Sequence, residues 1–151
     1  MLIHFICSGN TNRSRMAEAY FNSKKVPGMT ATSSGIYASH NLNGPITFFA
    51  KNILEREGIL DYTAKSWQET TKEILEQADV VIFVKKHHFD FVKNELHYIP
   101  RRYYIWDIED VTSSQNMNFE QMRQEEILED EKVFVNIKKA VDELIIDLSK
   151  I

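Results

Sequence analysis

Five consecutive apolar residues, Val80 to Val84, constrain this chain more than any other stretch: four are β-branched and the fifth is Phe83. A strand with no polar alternation has no face to give to water, so both faces must be covered, which is the pattern of a parallel sheet between helices. Leu2 to Ile6 is a second short apolar run, and Thr30 to Ser34 and Tyr103 to Trp106 are further candidate strands. Helical spacing predicts helices from Arg13 to about Lys24, over Ile46–Glu57, Thr70–Gln77 and His87–Leu96, and from Lys132 to Leu148. Parallel neighbours need crossover connections, which helices supply. The alternation predicts a three-layer α/β domain: a central parallel sheet of about four strands, helices on both faces, and a ligand-binding loop after the first strand.

At 151 residues and 43% hydrophobic, the chain holds enough apolar surface for one core, so residues 1–151 are read as one domain. With 18 basic against 22 acidic residues the formal charge is −4, which argues against a nucleic-acid binder; Arg101-Arg102-Tyr103-Tyr104 is too short to reverse that. The opening residues carry no basic leader, and their apolar run is too short for a signal peptide or a membrane span. The expectation is a cytoplasmic protein without membrane or nucleic-acid partners.

Cys7 is the single cysteine, so no internal disulfide can form, and a structural zinc site is not supported. His87-His88 has no third ligand at a recognised spacing and reads as a helix start or surface pair. Neither metal nor cofactor is expected. Glu125, Glu126, Glu129, Asp130 and Glu131 read as a solvated helix end or loop, and Gly35 to Pro45 as a long surface loop able to wall a site.

Cys7 is therefore packing or chemistry. The segment Cys7-Ser8-Gly9-Asn10-Thr11-Asn12-Arg13-Ser14 lies between the first strand and the first helix. A helix starting near Arg13 aims backbone N–H groups and its positive dipole end into this loop, where a phosphate or related oxyanion can sit without a metal. Gly9 permits the curvature. Five residues between Cys7 and Arg13 let one loop hold a thiol beneath phosphorus and a guanidinium beside two oxygens. Such charge-assisted bonds contribute roughly 1.5–3 kcal/mol each. Helix-end amides, Arg13 and the Ser14 hydroxyl would favour the thiolate, the nucleophilic form of Cys7.

These residues resemble the low-molecular-weight protein tyrosine phosphatase family, whose arsenate reductase relatives share the fold and the Cys-x5-Arg-Ser loop. The resemblance spans nearly the whole chain. Cys7 to Ser14 with Met16-Ala17-Glu18-Ala19 matches the signature loop and first helix; Ser34-Gly35, Asn43 to Ile59 and Ala78 to Val84 resemble later segments. It implies that Cys7 attacks phosphorus, Arg13 binds the equatorial oxygens, Ser14 steadies the thiolate and Asn10 holds the loop. Ser8, Gly9, Thr11 and Asn12 complete the substrate cradle, and His40 stands where the family often carries tryptophan. The family's general acid belongs to an Asp-Pro pair after a late strand. Here Trp106-Asp107-Ile108-Glu109-Asp110-Val111 occupies that place without proline; spacing favours Asp110, with Val111 in the proline position and Asp107 as competitor.

Asn12 replaces a second cysteine found in many members. Arg15 replaces a proline, either adding charge at the rim or facing solvent, and no tyrosine pair follows Asp110. The implied activity is cysteine-dependent hydrolysis of phosphotyrosine or a small phosphomonoester through a cysteinyl phosphate, with a phosphorylated protein or small phosphomonoester as partner and inorganic phosphate or another oxyanion bound. Arsenate reduction with an external thiol and a non-catalytic oxyanion- or phosphoprotein-binding module are the alternatives.

Overall fold

A computed structural model of the chain describes residues 1–40, 44–110 and 119–150; Asn43 and Val111, singled out above, lie outside the described residues. Strand β1 (Leu2–Cys7) is followed by helix α1 (Arg13–Ser23), β2 (Thr30–Gly35) and α2 (Phe48–Arg56). Then come α3 (Lys72–Gln77), β3 (Val80–Phe83), α4 (Lys86–Glu95), β4 (Tyr103–Ile105) and α5 (Phe119–Leu148). The four strands form one sheet in the order β2-β1-β3-β4, and every pairing is parallel.

Alternation along the strands sorts the core into two. Ile3, Phe5, Val80 and Ile82 pack with Met16, Ala17, Leu54, Phe134, Ile137 and Val141 from α1, α2 and α5. On the opposite face Ile6, Val81 and Phe83 pack with Leu75 of α3 and Val92 of α4. The sheet is thus a middle layer, as the apolar run at Val80 requires. Thr47 and Thr71 cap α2 and α3 by accepting from Ala50 N and Ile74 N, which fixes where each helix begins. Among the described residues, no helix is long and apolar enough to cross a membrane.

The last helix differs from expectation. It starts at Phe119 rather than Lys132, so the acidic stretch is helix rather than loop. The buried positions Asp130, Val133, Phe134, Ile137, Val141, Leu144 and Leu148 keep one helical stripe. Its first member is a carboxylate, so hydrophobic periodicity alone stops short of it.

Candidate active site

The loop after β1 curls back on its own cysteine. Asn10 adopts a left-handed backbone (φ 56°), and its N–H points at Cys7 Sγ at 3.3 Å. Ser14 Oγ lies 2.8 Å from the same sulfur and accepts from Asn10 Nδ2 at 2.8 Å, so the hydroxyl proton is left to point at sulfur. Two donors therefore converge on Cys7, an arrangement suited to a thiolate. Asn10 is itself held by Ser33 Oγ at 2.9 Å and by Gln68 N, which donates to its Oδ1 at 2.9 Å.

Gly35, at the end of β2, lies directly under this curl. A methyl group there would meet Ser8 O at 2.6 Å and Asn10 N at 2.7 Å, so only glycine leaves room for the loop. Sequence reading placed Gly35 at a strand end without seeing what it clears.

Arg13 is 3% exposed and reaches across to the segment after β4. Its Nη1 donates to Ile108 O at 2.9 Å, and Nη2 lies 3.6 Å from Asp110 Oδ2 and 3.5 Å from Ser8 Oγ. Trp106 N and Ile108 N donate to Phe83 O and Val84 O, extending the sheet edge so that Asp110 arrives at the cavity mouth. Asp107 is directed elsewhere, 3.3 Å from Lys85 Nζ, and Glu109 pairs with the same lysine. The cavity of about 800 Å³ is lined by Cys7, Ser8, Gly9, Thr11, Asn12 and Arg13 together with Tyr37, His40, Thr47, Phe48, Phe49, Asp110, Glu126 and Asp130. Tyr37 and His40 stack with ring centroids 5.9 Å apart. Among the described residues, no group of three or more His, Cys, Asp or Glu is placed to hold a metal ion.

Arg15 neither decorates the rim nor faces solvent: it is buried beneath the loop. Its Nε donates to Thr63 Oγ1 at 2.8 Å, and Nη1 to Pro45 O at 2.7 Å and Asn10 O at 3.3 Å, while Nη2 bonds Ala64 O. Burial lowers its pKa, with the charges of Glu18 and Cys7 working in the other direction. Glu18 is buried too, accepting from Ser33 Oγ at 2.9 Å and Ala64 N at 2.6 Å and from Thr63 Oγ1. Buried charges survive only when paired or fully hydrogen-bonded, and these two share Thr63 and Ala64. Only the fold reveals this: Arg13 to Ala19 are buried without interruption, and a helix covered on every side cannot leave its charges in water.

His88 is likewise buried rather than a surface residue. Lys85 N donates to its Nδ1 at 3.1 Å, so the ring proton sits on Nε2 and is donated to Ser8 Oγ at 3.0 Å. Burial, then the charges of His87, Arg13 and Lys85, lower its pKa to about 2, which keeps the ring neutral. His87 remains exposed.

Asp130 departs from its expected solvated position, being 1% exposed. Asn12 Nδ2 donates to its Oδ1 at 2.9 Å, tying the phosphate-sized loop to α5.

The family model for low molecular weight phosphotyrosine protein phosphatase matches residues 2–146. The chain is 32% identical over 90 residues to a protein-arginine-phosphatase of Geobacillus stearothermophilus, a match covering 60% of this chain and 58% of that protein. It is 33% identical over 99 residues to the protein-arginine-phosphatase of Bacillus subtilis (strain 168), covering 63% of each. The matched part therefore spans about three fifths of these relatives' lengths. A solved low molecular weight protein tyrosine phosphatase from T. tengcongensis superposes with a TM-score of 0.75 at 25% identity, over 97% of this chain and 99% of that one. With the fold, the loop and the match in agreement, the chain belongs to the low molecular weight phosphotyrosine protein phosphatase family.

Proposed function

We propose that this chain is a cysteine-dependent protein phosphatase that hydrolyses phosphoarginine side chains. One observation carries the reaction type: Cys7 Sγ, with two donors aimed at it, shares a cavity with Arg13 and with Asp110, whose carboxylate lies 3.6 Å from that guanidinium. Cys7 attacks phosphorus while Arg13 holds the equatorial oxygens, and Ser8, Gly9, Asn10, Thr11, Asn12 and Ser14 frame the anion. As the phosphorus–nitrogen bond breaks, Asp110 gives its proton to the leaving nitrogen, a contribution typically of ~10²–10⁴-fold. The Asp110 carboxylate then takes a proton from water, which attacks the cysteinyl phosphate; inorganic phosphate leaves and the thiolate returns.

The choice of arginine rests on charge. Asp110 and Glu126 line the cavity, and a departing guanidinium is positive where a phenol is neutral. Two relatives above 30% identity bear the name protein-arginine-phosphatase. A second reading, phosphotyrosine, is favoured by Tyr37, Phe48 and Phe49 in the cavity lining, aromatic side chains on which a phenyl group can pack; a guanidinium stacks on aromatic rings as well.

The test compares two peptides of one sequence, phosphorylated on arginine or on tyrosine, with Cys7→Ser as background. A higher kcat/KM on the arginine peptide supports the first reading, and the reverse ratio replaces it by the second. Wild-type turnover no faster than Cys7→Ser on both would remove both, leaving arsenate reduction and oxyanion binding.

A further inference from the structure

Asn12 Oδ1 is a buried acceptor with no hydrogen-bond partner among the described residues, although the amide nitrogen on the same carbon donates to Asp130 at 2.9 Å. Leaving such an oxygen unpaired is costly, because the hydrogen bonds it made to water in the unfolded chain are not replaced. What it needs is a donor, and no described lysine or arginine supplies one. The group already facing this amide is the Asp130 carboxyl, 1% exposed to water, in a cavity lining that also includes Glu126 and Asp110.

We infer that Asp130 is kept as a neutral carboxylic acid whose O–H donates to Asn12 Oδ1, closing a two-bond acid–amide ring that latches α5 to the phosphate-binding loop through one proton. An amide and an acid match in this way because each presents one donor beside one acceptor. The same ring satisfies the orphan oxygen and removes a charge from the low-dielectric side of the cradle. Burial pushes the Asp130 carboxyl up to about 6, the charges of Asp110, Glu126 and Glu129 add to the rise, and the bond from Asn12 opposes it. Among the described residues, the other ionisable groups around it are Cys7, Arg13, Tyr37 and His40 in the cavity, and Arg56 and Glu131, which pair with each other beyond it.

Asp130 is thereby a positioning residue: it touches no reacting atom but sets the loop through Asn12. When the proton leaves, the ring opens and a negative charge appears beside a site built for an anion. Oxyanion binding therefore weakens as pH rises past the Asp130 titration.

The experiment measures the Kd of sulfate, which stays a dianion throughout, between pH 5 and 7.5 on the whole chain, together with carboxyl-carbon NMR titration of labelled aspartates. In wild type, one aspartate titrates well above the rest, and sulfate affinity falls several-fold more than in Asp130→Asn. Asp130→Asn lacks that resonance and binds sulfate within about twofold of wild type at pH 5, because an amide supplies the missing donor. Asp130→Ala binds more weakly than Asp130→Asn at both pH values. The inference is overturned if every aspartate titrates in the ordinary range, or if Asp130→Asn follows the wild-type pH dependence or is no better than Asp130→Ala. Should Asp130→Ala not fold, the wild-type NMR titration and Asp130→Asn decide alone. Neither readout requires turnover: absence of sulfate binding at pH 5 would count against the phosphatase reading, while the NMR still decides the acid.

Discussion

The two sides of the cavity are built differently. The loop from Cys7 to Ser14 rests on buried polar side chains: Asn10, Ser33 and Glu18 are bonded in series, and Arg15 bonds Asn10 O and shares Thr63 with Glu18. The acid-bearing segment instead hangs from the sheet edge by Ile108 and Trp106, with Asp110 57% exposed and its neighbours paired to one surface lysine. A preorganised cradle must be rigid because its donors lose their advantage if they reorganise during reaction. The acid role proposed for Asp110 has a different need: the acid would meet a leaving group that arrives and departs with each turnover, and Asp110 sits where water and substrate have access.

If that contrast is right, changes on the acid side should damage rate without stability, and changes beneath the loop should damage both. The largest expected effect is Asp110→Asn, a ~10²–10⁴-fold fall in kcat with the urea midpoint unchanged, against a change of no more than a few-fold for Asp107→Asn. Equal losses in the two variants, measured on an aryl phosphate, would break the assignment. Arg15→Met comes next. It removes the buried guanidinium that donates to Thr63 Oγ1, Pro45 O and Ala64 O, at a cost of about 1–3 kcal/mol for each acceptor left unsatisfied, read by urea unfolding, and it loosens oxyanion binding because Asn10 O loses a donor.

A third test uses acid. His4 is buried, with its ring nitrogens 2.7 Å from Thr32 Oγ1 and Ser34 Oγ, and burial lowers its pKa from 6.5 to about 4. The unfolded chain takes up a proton below pH 6.5 that the folded chain refuses until about pH 4, so stability is full above 6.5 and falls through this window. The loss from His4 is about 3 kcal/mol, and His88, lowered further, acts in the same direction. Asp130 acts oppositely, since its raised pKa favours the folded state at the acid end of the range. Urea unfolding free energies of Asp130→Asn, which lacks that opposing group, that stay flat from pH 6.5 to 4 would refute the histidine account. The smallest effect belongs to Lys85→Ala, because its ion pairs to Asp107 and Glu109 are exposed and screened by water. A drop in kcat of a few-fold with unchanged loop affinity would mark it as a tether of the acid segment alone.

Local patterns in the sequence determined the strands, most helices and the Cys7–Arg13 loop, because hydrophobic period, caps and turn residues act over a few positions. The resemblance added Asp110 from its distance to Trp106. Only the tertiary structure decided which charges go inside. Arg15, Glu18, His88 and Asp130 carry the same side chains they would on a surface helix, and nothing in their own neighbourhoods marks them as buried. Their partners, Thr63 and Ala64 for the first two, Ser8 for His88 and Asn12 for Asp130, come from distant parts of the chain. Burying a charged or polar group is tolerable only once such a partner is in place, and that is settled by folding rather than by local sequence.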